Sequence, residues 1–70
     1  MKSETIGKLL INAKKHDKFV SLTPAYNTLK NIIINPHEDY RFLSETELLI
    51  KDEKLIDLNY IVDALIIPPL

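Results

Sequence analysis

Apolar positions in the first third of the chain fall in a helical rhythm. Ile6, Leu9, Leu10 and Ala13 follow the spacing that lines one side of an α-helix. Ser3 stands where an N-cap is wanted, and Glu4 in the first turn meets the positive end of the helix dipole. Lys14, Lys15 and Lys18 gather at the negative end. The pattern predicts a helix over residues 4–18, weakened slightly by Gly7, the sole glycine.

A second stripe, Tyr26, Leu29, Ile32 and Ile33, follows Thr23-Pro24, a start signal because proline at the first helical position loses no hydrogen bond. Asn35-Pro36 ends it, since the residue before proline is pushed away from helical geometry. These positions predict a helix over 24–34. Against it, Ile32, Ile33 and Ile34 are consecutive β-branched residues that also suit a short strand at 31–34.

After the polar connection 35–43 comes the sharpest local motif. Ser44 and Glu47 have capping-box spacing, and Leu43 with Leu48 supplies a hydrophobic staple, so a helix is predicted to begin at Glu45. On one continuous helix, Leu48, Leu55, Leu58, Val62, Leu65 and Ile66 share one face, while Leu49, Ile56, Tyr60 and Ile67 form a second stripe. Two stripes imply a helix packed on two sides or a break near 51–54, with Asp52 capping a second helix over about 53–66. A hairpin within 48–58 ranks last, because its turn lacks the Asn-Gly or Asp-Gly chemistry that hairpins prefer. Pro68-Pro69 ends the element. The expected fold is all-α, a small bundle of three to four short helices over a single domain, 1–70. The alternative is α+β, with a strand at 31–34 or a hairpin at 48–58.

Composition sharpens that expectation. A chain of 70 residues exposes much of what it would prefer to bury, and domains this small often lean on disulfides, metals or oligomerisation. With no cysteine and only His16 and His37 as soft ligands, oligomerisation is the open route. Ten isoleucines and eleven leucines are a heavy load for so small an interior, and a contiguous exposed patch marks a contact site. Cysteine-free sequence without a signal-peptide pattern fits a cytoplasmic protein, and no apolar stretch approaches the ~20 residues that cross a bilayer. Net charge is −1, divided unevenly: six lysines against Glu4 and Asp17 over 1–37, three cations against eight acids over 38–70.

Candidate chemistry is sparse. His37-Glu38-Asp39 are adjacent, so their side chains diverge, and no helix-spaced ligand pair supports them as a metal site. Ser3 and Ser44 are explained as caps, and a single glycine cannot build a phosphate-cradling loop. Neither enzyme activity nor a cofactor is expected. Lys8, Lys14, Lys15 and Lys18 lie opposite the apolar stripe of the first helix and could line phosphates, which makes a nucleic-acid-associated regulator the alternative function. With Arg41 as the one arginine, a solvated lysine face is the plainer reading. The leading expectation is a non-enzymatic regulatory or adaptor protein. It would dock on a protein partner or a second copy through an apolar and acidic C-terminal helical surface of Leu49, Glu53, Ile56, Tyr60, Asp63 and Ile67.

Overall fold

The structure, a computed structural model, describes residues 1–26 and 29–70. One helix and six strands make an α+β fold. In chain order these are α1 (Ser3–Lys15), β1 (Phe19–Pro24), β2 (Ile32–Ile34), β3 (Tyr40–Ser44), β4 (Glu47–Ile50), β5 (Lys54–Asp57), a 3-10 turn (Leu58–Tyr60) and β6 (Ile61–Ile67). The strands form two antiparallel three-stranded sheets, the first ordered β2-β1-β6 and the second β3-β4-β5.

The first helix follows its pattern closely. Ile6, Leu10 and Ala13 are fully buried, and α1 packs against β1 and β6. Its start differs from expectation: Lys2 occupies the N-cap without a side-chain cap, and Ser3 lies inside the helix with its N–H donated to the Glu45 carbonyl at 2.8 Å. It also ends three residues early. Asp17 takes a left-handed φ of 52°, Lys18 N–H reaches back to the Ala13 carbonyl at 2.8 Å, and Asp17 N–H reaches Lys14 at 3.3 Å. This is a Schellman-type stop with an aspartate where glycine is usual.

The all-α bundle is overturned beyond that point. Where a helix over 24–34 was expected, Pro24 closes β1 and the isoleucine triplet forms β2, pairing Ile32 with Leu22 and Ile34 with Val20. Asn27 and Thr28 of that expected helix lie outside the described residues. The stretch 45–66, expected to be one helix or two, is instead the rest of the β3–β4 turn, β4, β5, the 3-10 turn and most of β6. A capping interaction stabilises a helix by about 1 kcal/mol, whereas fully burying a leucine or isoleucine contributes about 1.5–3 kcal/mol. Leu48, Ile56 and Leu58 are all buried in the hairpin arrangement, so packing outweighs the cap.

The hairpin that ranked last is the one that forms. Leu48 pairs with Ile56 and Leu49 with Leu55, and Glu53 N–H closes the turn on the Ile50 carbonyl at 3.0 Å. Lys51 and Asp52 both adopt positive φ, 54° and 56°, the geometry Asn-Gly would supply more cheaply. Between β3 and β4 the loop is only Glu45-Thr46, and Leu43 is an extra residue bulged out of β3.

Two connections carry the chain between sheets. Pro36 is buried in the first, where the Asn35 side chain accepts His37 N–H at 3.0 Å. In the second, Asp57 accepts Asn59 N–H at 2.9 Å and Leu58 N–H donates to the Thr46 carbonyl at 2.8 Å. A bulge in β6 completes the core: Thr23 pairs with Asp63 but Pro24 with Ile61, leaving Val62 unpaired. Strict alternation would set Ile61 and Ala64 on opposite faces. The extra residue turns Ile61 inward beside Val20, Leu22 and Ile34, with Ala64 and Ile66 packed against the same cluster.

Candidate functional site

The register of the first sheet fixes which side chains face away from the core. Phe19 stands beside Ile67, Thr23 beside Asp63, and Ser21 sits in a row between Ile33 and Leu65. Phe19, Ile33, Leu65 and Ile67 are absent from the core cluster, so this face turns apolar side chains outward. Leu65 is 55% exposed and Ile33 40%, while Phe19 and Ile67 are half-buried. Ser21 is only 5% exposed, shielded between its neighbours, and its hydroxyl accepts the Asn31 side-chain amide at 3.1 Å. The face is therefore a contiguous apolar surface over one satisfied polar group, with Asp63 at its border.

The residues expected to dock a partner are not gathered on one helical stripe. Ile56 is 4% exposed and belongs to the core. Leu49 lies half-buried on the outer row of the second sheet, between Arg41 and Leu55, and Glu53 is exposed in the following turn. Tyr60, half-exposed on the 3-10 turn, meets the Tyr26 ring at 5.8 Å and 32°. Asp63 and Ile67 alone share a strand and a face, the outer side of the first sheet. Their companions there, Phe19, Ile33 and Leu65, escaped the sequence reading. The available signal was the run 61–67, a seven-residue, nearly all-apolar stretch between Asn59-Tyr60 and Pro68, which fits a strand as well as a helix.

The polar groups are dispersed. Lys8, Lys14 and Lys15 project from α1 into solvent, Lys8 pairing with Glu4 at 3.4 Å, and Lys18 is half-buried after the helix. His37 donates from Nε2 to the Asp17 carboxylate at 3.0 Å across an exposed loop contact. Among the described residues, no group of three or more His, Asp or Glu side chains is placed to hold a metal.

Two shallow clefts flank Lys51. One, of about 250 Å³, is lined by Asp39, Tyr40, Arg41, Leu49, Lys51 and Asp52. The other, of about 260 Å³, is lined by Ile33, Ile34, Glu38, Ile50, Lys51 and Lys54 among others. Lys51 bonds to the Glu38 carboxylate, and that hydrogen bond, followed by the Glu38 charge, raises the ammonium above its ordinary 10.5, with slight opposition from desolvation. Arg41 holds Asp52 at 3.2 Å. Cations and acids thus neutralise one another around both clefts.

Among the described residues, no helix is long and apolar enough to cross a membrane. Comparison with protein-family models, with curated proteins and with solved structures gave no match.

Proposed function

We propose that this chain is a non-enzymatic regulatory or adaptor protein, and that it meets its protein partner through the outer face of the first sheet. One observation carries the reading: Ile33 and Leu65, 40% and 55% exposed, flank the same buried Ser21 from adjacent strands. Exposed apolar residues scattered singly are ordinary on any surface, whereas side chains juxtaposed by register form a patch. Asp63 at its border supplies the acidic member that would favour a basic rim on the partner.

The test is a comparison of two single substitutions on opposite sheets. Ile33→Glu places a charge on the patch, while Leu55→Glu does the same on the outer row of the second sheet, where Leu55 is 56% exposed. Partners captured from a native lysate are identified by mass spectrometry for the parent and for each variant. The reading expects one set of proteins lost with Ile33→Glu and retained with Leu55→Glu. Equal capture by both variants, with circular dichroism unchanged, overturns it.

A further inference from the structure

Four strand edges are open among the described residues, and they are not equally protected. β2 is only three residues long, and β5 has Lys54 and Asp57 at its ends. β3 is bulged at Leu43 and carries Arg41, which is tied to Asp52. Short length, bulges and charge are the usual means of keeping an edge from pairing. β6 is the exception. It is seven residues long, Asp63 is its one charge, and its bulge at Val62 leaves the five residues 63–67 in unbroken register with β1. The outward N–H and C=O groups of that stretch are placed to meet another extended strand, with the Ala64 N–H, which donates to the Asp63 carboxylate at 2.9 Å, exchanging that bond for the ladder.

We infer that the strand which completes it is β6 of a second copy, paired antiparallel about a two-fold axis at Leu65. The inference rests on the reading above in taking the first sheet as the side where contacts form. Four features select this occupant and register. The regular ladder 63–67 is symmetric about Leu65, so two copies overlap over its whole length. Its stops coincide, because in this register Pro68, which has no N–H to give, falls opposite the unpaired Val62 of the second copy. Ala64 falls opposite Ile66, a small side chain against a large one, and Asp63 opposite Ile67, whereas a register centred on Asp63 would oppose two like charges. A net charge of −1 leaves little repulsion between copies.

The product is a six-stranded sheet, β2-β1-β6-β6-β1-β2, with an isologous interface. Its outer row runs Ile33, Ser21, Leu65 and then the same residues in reverse, so two apolar patches join into one platform across the axis.

Cysteine cross-linking tests both the pairing and its register, because the chain has no cysteine of its own. Residues directly opposite in an antiparallel pair are within disulfide reach, so Leu65→Cys is expected to give a covalent dimer under mild oxidation. The two copies of Ala64 are offset by two positions, about 8 Å apart, and Ala64→Cys is expected to remain uncoupled. Light scattering on the parent is expected to give twice the 8.1 kDa chain mass. Leu65→Lys is expected to return a single chain with unchanged circular dichroism. A parent that stays monomeric up to about 1 mM overturns the inference, as does equal cross-linking by both cysteine variants. Failure of Leu65→Cys to cross-link while Ile33→Glu still abolishes partner capture would remove the pairing and leave the proposed function standing. Cross-linking by Leu65→Cys alone, with capture indifferent to Ile33→Glu, would do the reverse.

Discussion

The Ser44 hydroxyl donates to the Glu47 carboxylate at 3.1 Å and at the same time accepts Thr46 N–H at 3.2 Å. One side chain therefore closes the two-residue turn between β3 and β4. That turn also accepts Ser3 N–H at Glu45 and Leu58 N–H at Thr46, so the start of α1 and the 3-10 turn both depend on it. Ser44→Ala removes both of these exposed hydrogen bonds and a longer one, 3.5 Å, with the Thr46 hydroxyl, and is expected to cost about 0.5–1.5 kcal/mol, read from the urea midpoint.

Ile56 and Tyr60 should respond very unequally to truncation. Ile56 is 4% exposed in the core, and Ile56→Ala is expected to cost about 2–5 kcal/mol through lost burial and the cavity left behind. In a chain this small that loss approaches total stability. Tyr60 is half-exposed with one aromatic neighbour, so Tyr60→Ala is expected to cost no more than about 1.5 kcal/mol. Parallel urea titrations decide the order.

Gly7 lies within α1 without requiring glycine geometry. A methyl group added there would meet the Phe42 ring at 3.5 Å, ordinary van der Waals contact. Gly7→Ala is therefore expected to stabilise the fold by about 0.5–1 kcal/mol, raising the thermal midpoint by roughly 2–8 °C.

Lys51 links stability to alkaline pH. Its ammonium is held above the ordinary lysine value by Glu38, so the contribution of the pair is complete below 10.5 and lost as pH rises through the elevated value. The urea midpoint is expected to fall over that alkaline range more in the parent than in Glu38→Gln, where the pairing is gone.

What was legible in the sequence was local. Ile6, Leu10 and Ala13 announce α1 because helix periodicity and helix hydrogen bonds involve the same few neighbours. Ser44 and Glu47 misled for a related reason: a hydroxyl that accepts a nearby N–H and meets a carboxylate three residues on serves a hairpin turn as well as a helix start. Ile33 and Leu65 become neighbours of Ser21 only after three distant segments pair, and no window along the chain contains that information. Asp63 and Ile67 were legible as members of a surface, but their companions were not. The two apolar stripes of 48–67 resolve the same way: on strands, Leu48 and Ile56 face inward as a pair while Leu49 and Leu55 pair on the other side.

The bulge at Val62 absorbs one residue that the pairing of β6 with β1 does not need. Val62 is 62% exposed and unpaired, so polar replacements there should be tolerated. Deleting it would set Ile61 directly beside Asp63, still opposite Pro24 and still facing the interior, on a regular ladder. Relatives of this protein, or designed variants, should therefore accept either a freely varied residue between Ile61 and Asp63 or none at all.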